Sequence, residues 1–308
     1  MGRAHAADGE DLAVAEVERY PSPLRYPGGK ARLANFVKLV MARNRLIGAE
    51  YVEPYAGGAS VALSLLFEEY ASHIHINDLN RSVFAFWQCV LYDTESLCER
   101  ITDARSDIDE WDRQRAVQSD PHASDFDLAF STFFLNRTSR SGIIWGSGII
   151  GGRNQNGTWK IDARFNREEL VRRIRRIGRF RSRITLTRVD ARDYLVENLP
   201  AIGDDCFLYL DPPYYVKGSN LYENFYEHEH HEEISQLVRQ LNVPWIVSYD
   251  AAPEIRKLYS GFRSSRYSLT YTAGRRYAGS ETMIFHPDLT VPRVASVAAV
   301  TAEEVAAI

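Results

Sequence analysis

The sequence predicts an α/β fold in which a mostly parallel sheet is interrupted by an inserted helical segment. Three observations carry this prediction. Short apolar runs alternate with helical patterns over residues 22–94, which is typical of parallel strands joined by crossover helices. The alternation stops near residue 95 and resumes at 184–189. The run 206–210 is wholly apolar, as expected for a strand buried on both faces.

The elements follow in a regular order on both sides of the interruption. We expect strands at 49–53, 73–77, 184–189, 206–210, 245–249, 266–272 and 281–285. Helical patterns cover 33–41, 59–67, 81–91, 166–178, 232–241 and 253–259. The Ala-rich and acidic segment 1–20 and the Val- and Ala-rich segment 288–308 are predicted to be disordered tails.

The composition is that of a globular protein. The 308 residues are 45% hydrophobic and 25% charged, with ordinary numbers of glycine and proline. No apolar run approaches the roughly 18 residues that span a bilayer, so no membrane association is predicted. The three cysteines have no metal-type spacing, and Asp8, Glu10 and Asp11 do not suit a signal peptide. These features predict a cytoplasmic protein.

Positive charge is concentrated in one segment. Residues 137–192 contain fifteen Lys and Arg against four Asp and Glu, a net charge of +11, whereas the whole chain carries −4. A basic segment in an acidic chain indicates contact with a polyanion. The alternative is a solvated basic face whose counterions are loosely held.

The first chemical motif is Asp211-Pro212-Pro213-Tyr214, directly after the buried strand 206–210. Ligands of open α/β sheets bind at this end of the strands. The prolines end the strand and stiffen the loop, which leaves the Pro212 carbonyl outside the ladder. A carboxylate beside such a carbonyl makes two acceptors for one NH₂ group, and Tyr214 offers a flat face. The alternative is a turn with an aspartate cap.

The second motif, Glu53-Pro54-Tyr55-Ala56-Gly57-Gly58, follows strand 49–53 and opens a helix. Asp78 lies 21 residues beyond Gly57, at the end of the next strand. Dinucleotide-binding sites place an acidic residue at about this distance to hold ribose hydroxyls. The glycines do not form the GxGxxG pattern, so a tight strand-to-helix turn is the alternative.

Two further segments contain residue types that can bind phosphate or a metal ion. The segment Arg25-Tyr26-Pro27-Gly28-Gly29-Lys30 lacks the first glycine and the Ser/Thr of a P-loop, which disfavours ATP or GTP. It can still present Tyr26 and Lys30 to a ligand. The run 228–232 is rich in histidine and glutamate, but no other well-placed ligand is visible, and no metal is predicted. His231 is a candidate for contact with substrate.

Together the three motifs resemble the Dam-like, α-order adenine-specific DNA methyltransferases. The resemblance runs from about residue 22 to 286 and includes Asn136-Arg137-Thr138 and the segment 279–285. It implies a Rossmann-like sheet that binds S-adenosyl-L-methionine, with an inserted, mostly helical target recognition domain carrying a β-hairpin. The catalytic domain would then comprise 21–94 and 181–287, and the recognition domain 95–180.

The resemblance assigns roles to residues at matching positions. Its cofactor-binding set is Tyr26, Lys30, Glu53, Pro54, Gly57, Asp78, Asp190 and Asp211. Within that set, Asp78 matches the acid that binds ribose and Asp190 an acid near the adenine ring. The family often has Phe after the latter acid, where this chain has Ala191. The catalytic loop is Asp211, Pro212, Pro213 and Tyr214, and the tyrosine would stack on a flipped base.

The inserted segment is expected to bind DNA. Helix 166–178 has a capping-box pattern, and most of its arginines face away from an apolar stripe. Upstream, Asn156-Gly157 predicts a hairpin within 143–163 that would read the major groove. Since this stretch differs from much of the family, a GATC target is not assumed. The DNA-binding set is Asn136, Arg137, Arg140, Arg153, Lys160, Arg172 and Arg176.

The implied function is transfer of a methyl group from S-adenosyl-L-methionine to the adenine N6 amine in double-stranded DNA. Cytosine-N4 methylation uses the same amine chemistry and is one alternative. The others are a catalytically inactive, sequence-specific DNA-binding relative and an enzyme acting on RNA or protein. Cytosine C5 methylation is disfavoured because no cysteine follows a proline. A cognate restriction endonuclease is a candidate partner, with no obligate protein partner implied, and a nucleoid-associated location is expected.

Overall fold

The computed structural model describes residues 21–25, 30–216, 226–271 and 277–307. Seven strands are formed in these ranges: β1 (Glu50–Glu53), β2 (Ile74–Asn77), β3 (Ile184–Thr187), β4 (Cys206–Leu210), β5 (Trp245–Asp250), β6 (Ser264–Tyr271) and β7 (Tyr277–Phe285). They make one sheet in the order β3-β2-β1-β4-β5-β7-β6. All neighbouring pairs are parallel except those of β7, which is antiparallel to β5 and β6. The predicted α/β class is confirmed.

Helices join these strands and build the insertion. They are α1 (Ala34–Arg43), α2 (Ser60–Phe67), α3 (Arg81–Tyr92), α4 (Thr94–Asp103), α5 (Ile108–Ser119), α6 (Asp125–Thr138), α7 (Arg167–Arg179), α8 (Ala191–Asp193), α9 (Leu199–Ile202), α10 (His228–Gln240), α11 (Pro253–Leu258) and α12 (Ala302–Ala306). A π-helical turn, Tyr194–Asn198, connects α8 to α9. Each element predicted from the apolar pattern is present within a few residues of its expected bounds.

Two apolar cores lie on opposite faces of the sheet. Neighbouring residues of one strand belong to different cores: Tyr51 and Phe207 pack in the first, whereas Val52 and Leu208 pack in the second. This division follows from the two-residue period of a strand, which points successive side chains to opposite faces. The first core contains apolar residues of α1 to α7, and the second those of α8 to α11.

The strand order places a crevice beyond the carboxyl ends of the central strands β1 and β4. From β1 the chain crosses to β2 on one side, whereas β4 lies on the other side of β1. The crossovers therefore diverge beyond the carboxyl ends of these two neighbouring strands, where open α/β sheets bind ligands. The segments that leave β1 and β4 begin with Pro54 and Asp211, so the two main sequence motifs meet at this point.

The insertion is helical, as predicted, but the hairpin prediction is wrong. Within 143–163 the backbone forms turns, and pairing is limited to a bridge between Ser139 and Ile149. Positive φ values at Gly151 and Gly152 bend the chain away from an extended path. The Gln155 amide donates to the carbonyls of residues 150 and 152, and so satisfies groups that a facing strand would have bound.

The C-terminal segment is ordered against α1, so the predicted tail at 288–308 is also wrong. Four of its side chains are buried in the first core: Leu289, Val297, Val300 and Val305. The Asn35 amide of α1 donates to the Val300 carbonyl, and Asn44 exchanges two hydrogen bonds with Thr290. Apolar valines spaced too irregularly for one helix face hid this packing in the sequence. The predicted tail at 1–20 lies outside the described residues.

Removal of residues 288–308 should therefore destabilise the protein. The four buried side chains would leave apolar surface of α1 in water, and each contributes up to about 1.5–3 kcal/mol when fully buried. We expect the free energy of unfolding in urea to fall by about 3–5 kcal/mol. Val300→Ala is the graded control and should cost about 1–2 kcal/mol. An unchanged unfolding midpoint of the truncated chain would contradict this packing.

Candidate active site

The loop that leaves β4 is held at both ends. Pro212 and Pro213 cannot donate to a neighbouring strand, so the ladder stops at Leu210. Beyond them, the backbone amides of Tyr215 and Val216 donate to the two Asp250 carboxylate oxygens at 2.9 and 3.0 Å. Because Asp250 ends β5, the loop is clamped over the strand next to its own.

The carboxylate of Asp211 is the centre of a polar cluster. It accepts a hydrogen bond from Ser248 Oγ at 2.6 Å, and Lys30 Nζ lies 2.9 Å from each of its oxygens. Burial raises the pKa of Asp211, while the Lys30 ammonium opposes that rise. Its side chain keeps 21% of its surface exposed, so the carboxylate can still meet a ligand.

Lys30 lies beneath the loop, bound to the protein itself. It was predicted as a cofactor contact, and the structure places it against Asp211 with 4% of its side chain exposed. Burial alone would lower the pKa of Lys30, but the Asp211 and Glu281 carboxylates raise it well above its ordinary value. Tyr26, predicted beside it, lies outside the described residues.

Tyr214 points into the protein. Its hydroxyl donates to Glu281 Oε1 at 2.6 Å and accepts from Lys30 Nζ at 3.0 Å. Only 3% of the residue is exposed, so stacking on a base requires this ring to become accessible. Sequence reasoning assigned Glu281 to a strand and missed its place in the site. A signal was present: Glu281 is the only acid of this strand, and the apolar residues Met283, Ile284 and Phe285 follow it closely.

The glycine turn after β1 is closed by Asp78. The Gly57 amide donates to Asp78 Oδ2 at 2.8 Å, and the Asn80 amide donates to Oδ1 at 3.0 Å. Gly57 has a φ of 47°, a conformation that favours glycine. Burial raises the pKa of Asp78 to about 6, despite these two hydrogen bonds. The turn and the acid thus form one unit, and the contact of Asp78 with a ribose stays a prediction.

Glu53 is buried beneath the same turn. Its Oε1 accepts from the Tyr51 hydroxyl at 3.0 Å and from the Ala62 amide at 3.1 Å. Burial raises the pKa of Glu53 to about 8, so much of it is protonated at neutral pH. The predicted contact of Glu53 with the cofactor would therefore come from a largely neutral acid.

An asparagine that sequence reasoning missed joins three loops of the site. Asn77 Nδ2 donates to the carbonyls of Pro54 and Val189, and Oδ1 accepts from the Val189 amide and Thr187 Oγ1, all at 2.9–3.0 Å. The ends of β1, β2 and β3 are thereby fixed to each other. A buried amide at the end of a strand, directly before Asp78, was the available signal.

Asp190 caps α8 at the end of β3. Its Oδ1 accepts from the backbone amide and from Nε of Arg192, both at 2.9 Å. The side chains of Tyr55 and Tyr226 meet nearby, with their hydroxyls 3.0 Å apart. Acids at the ends of the paired strands β2 and β3, with aromatic rings beside them, suit a ligand that carries hydroxyl groups and an aminopurine. A cofactor whose ribose hydroxyls and adenine amine donate hydrogen bonds fits these acceptors.

The predicted DNA-binding residues divide into three groups. Arg140 and Lys160 are exposed in the irregular part of the insertion. The members of the second group contact other side chains of the protein. Arg153 is held by both oxygens of Asp112, Arg172 pairs with Glu169, and the Arg176 guanidinium lies over the Phe67 ring.

The third group is buried or half-buried. Asn136 is fully buried and binds the Arg25 backbone and the Gly142 carbonyl, a placement that suits holding a turn rather than touching DNA. Arg137 donates to the Arg164 and Pro23 carbonyls. Burial, reinforced by Arg25 and other arginines, lowers the pKa of Arg137 to about 9.

The histidines of 228–232 point to separate partners. His228 Nδ1 meets the Tyr215 hydroxyl at 3.1 Å, His230 caps the start of α10, and His231 Nδ1 meets the Tyr249 hydroxyl at 3.0 Å. Across the described ranges, no group of three His, Cys, Asp or Glu side chains is arranged to hold a metal ion. Nor does any helix in that part of the chain have the length and apolar character needed to cross a membrane.

Comparison with known proteins identifies the family. A search of curated proteins found no match. A family model described as D12 class N6 adenine-specific DNA methyltransferase matches residues 26–273, which covers the motifs of the crevice and the whole insertion. The match agrees with the mixed α/β fold and its mostly parallel sheet. The chain therefore belongs to the D12 class of N6 adenine-specific DNA methyltransferases.

Proposed function

We propose that this adenine-specific methyltransferase acts on a base turned out of double-stranded DNA, and that the loop 211–214 holds its N6 amine. The observation that carries the proposal is the Asp211 carboxylate, which is fixed by Ser248 and Lys30 yet remains partly exposed at the crevice. The amine of a paired adenine lies inside the duplex, so the base must leave the stack to reach this carboxylate.

The chain's contribution is to position and polarise the amine. Asp211 and the Pro212 carbonyl accept its two hydrogens, which favours a tetrahedral nitrogen whose lone pair points away from the loop. The cofactor expected for this family, S-adenosyl-L-methionine, supplies an electrophilic methyl group when bound. Positive charge develops on N6 as the new C–N bond forms and the bond between the methyl group and sulfur breaks, and the negative charge of Asp211 stabilises it. Asp211 Oδ2 then takes the surplus proton.

The neighbouring turn is proposed to hold the cofactor. Asp78 would accept the ribose hydroxyls, and Asp190 would accept the adenine amine. The backbone around Pro54 and Gly57 would contact the methionine part. The hydrogen bonds of Asn77 support this assignment, since they fix the loops after β1, β2 and β3 relative to each other.

The insertion is proposed to present DNA to the crevice. Its turn at Gly142 packs against the segment that leads to Lys30: a Cβ atom added there would lie 2.1 Å from the Arg25 carbonyl oxygen. Only glycine fits this approach, and φ is +74° at the same residue. Arg140, two residues earlier, is exposed next to this junction and is the first candidate for a phosphate contact.

Replacement of Arg140 and Lys160 by alanine should weaken DNA binding mainly at low salt. Each lost phosphate contact lowers the slope of log K against log salt by about 0.9, so the double variant should lose up to about 1.8. Titration of a labelled duplex at several salt concentrations measures this slope.

Arg175→Ala is the matched control for that experiment. Its guanidinium is bound by both Glu95 oxygens, so the slope should stay unchanged. A double variant with the wild-type slope would place the DNA elsewhere.

The decisive test of the function is transfer of labelled methyl groups to defined duplexes. Purified protein and tritiated S-adenosyl-L-methionine should label duplex DNA, and nucleoside analysis should show N6-methyladenine. Detection of N4-methylcytosine would instead support cytosine-N4 methylation. Label in RNA alone would refute duplex DNA as the substrate. Modified-base sequencing of genomic DNA from expressing cells would reveal the target sequence. A restriction endonuclease partner and a cytoplasmic, nucleoid-associated location remain part of the proposal.

A further inference from the structure

Glu281 lies beneath the catalytic loop, on the antiparallel strand β7. Glu281 is fully buried, and the residues paired with it in the sheet are Asp250 on β5 and Tyr267 on β6. Asp250 clamps the backbone of the same loop, as described above. Two carboxylates at paired positions of neighbouring strands therefore hold the loop 211–216, one through backbone amides and one through a side chain.

Both oxygens of Glu281 are engaged. Oε1 accepts from the Tyr214 hydroxyl at 2.6 Å, and Oε2 accepts from the Tyr267 hydroxyl at 2.5 Å. Lys30 Nζ lies 3.6 Å from Oε2 and 2.9 Å from Asp211. The Lys30 ammonium thus faces two carboxylates inside the protein, at unequal distances.

The charge of this arrangement is unusual for a buried site. Among the described residues it combines one cation with two anions, and burial of a surplus charge is costly unless hydrogen bonds compensate it. The Tyr214 and Tyr267 hydroxyls provide such compensation on Glu281, and Ser248 provides it on Asp211. Among the described residues, two carboxylates therefore share one ammonium beneath the loop that is proposed to bind the amine.

We propose that Glu281 is a positioning residue of the methyl-transfer reaction, which holds the Tyr214 hydroxyl and shares the Lys30 ammonium with Asp211. The inference rests on the proposed role of Asp211. Without Glu281, Lys30 would bind Asp211 alone and compete with the amine for its oxygens. The site would also lose a carboxylate close to the loop, and with it part of the stabilisation of the positive charge that develops on N6.

Glu281→Gln tests this role, because the amide has nearly the same shape and no charge. We expect the single-turnover rate of methyl transfer at saturating DNA and cofactor to fall by about 10- to 100-fold. The dissociation constants of cofactor and DNA should change by less than about threefold, since the loss falls on the chemical step.

The pH profile separates positioning from a merely structural role. Transfer requires ionised Asp211, so the rate rises with pH through the pKa of that group. The Glu281 charge raises this pKa. Its removal should therefore shift the acid limb of the pH–rate profile, the range in which the rate rises with pH, to lower pH. Other groups near Asp211 are unchanged by the substitution: Lys30, Tyr51, Glu53, Tyr209, Tyr214, Ser248 and Tyr267.

Two further variants complete the experiment. Tyr267→Phe removes one hydrogen bond to Glu281 but keeps every charge, so its acid limb should coincide with that of the wild type. If Glu281→Gln fails to fold, Glu281→Asp keeps the charge at a shorter reach and should lower the rate without moving the limb. A wild-type rate in Glu281→Gln, or a lower rate with an unmoved limb, would overturn the inference. Methylation of adenine by the wild type and by Tyr267→Phe would still uphold the proposed function in either case.

Discussion

Asp211→Ala should abolish detectable methyl transfer, with a loss of about a thousandfold or more in the single-turnover rate. The substitution removes the carboxylate that accepts an amine hydrogen, opposes the developing positive charge and receives the surplus proton. The protein should remain folded, because burial already disfavours the ionised form of Asp211 and Glu281 still faces Lys30. Rapid-quench transfer of tritiated methyl groups measures the loss.

Binding measurements decide whether this loss is chemical. Cofactor affinity of Asp211→Ala, measured by calorimetry, should stay within about threefold of the wild type, since the proposed ribose and adenine contacts lie on β2 and β3. Asp211→Asn is the matched variant, because its amide keeps the shape and one acceptor but cannot take a proton. Turnover near the wild-type rate in either variant would refute the role given to Asp211.

Asp78→Asn should weaken cofactor binding by at least about tenfold and remove the pH dependence of stability that this acid contributes. Affinity falls because an amide offers the ribose hydroxyls one acceptor oxygen in place of two charged ones. The pH dependence arises because the folded protein holds the carboxylate at a pKa of about 6, compared with an ordinary 3.8. The amide avoids the cost of a buried charge, but its NH₂ group faces a backbone N–H that the carboxylate had accepted.

The sign of the pH dependence provides a second readout for Asp78. A folded pKa above the unfolded value means that the folded state binds the proton more tightly. The stabilisation from that proton is complete below pH 4 and is lost as the pH rises through about 6. The unfolding free energy of the wild type should accordingly rise relative to that of Asp78→Asn on acidification from pH 7 to pH 5.

A distant carboxylate controls for the general effect of removing an acid. Asp103→Asn changes an exposed acid at the end of α4 and should alter neither cofactor affinity nor the unfolding free energy. If Asp78→Asn bound the cofactor normally, the ribose would have to be held elsewhere. If it bound weakly and was also less stable, the acid would be part of the fold's support.

The exposed reacting group of the site can be predicted from the sequence, whereas the buried cluster that supports it cannot. Asp211, Gly57 and Asp78 belong to local patterns, in which the chemistry depends on neighbours a few residues away or on one strand-to-strand spacing. The same is true of β1 to β5, whose apolar runs report burial directly. The sequence alone was sufficient for the family resemblance, the α/β class and the position of the loop 211–214 directly after β4.

Tertiary structure decided the features that depend on contacts between distant segments. Lys30 and Glu281 meet beneath Asp211 only because β7 inserts between β5 and β6, and no local pattern reports that register. The Gln155 side chain donates hydrogen bonds to carbonyls that the expected hairpin would have paired. The valines near the C-terminus pack against α1. Local periodicity fixes which residues avoid water, but the partners of buried polar groups are selected in three dimensions, where each must satisfy its hydrogen bonds and charge.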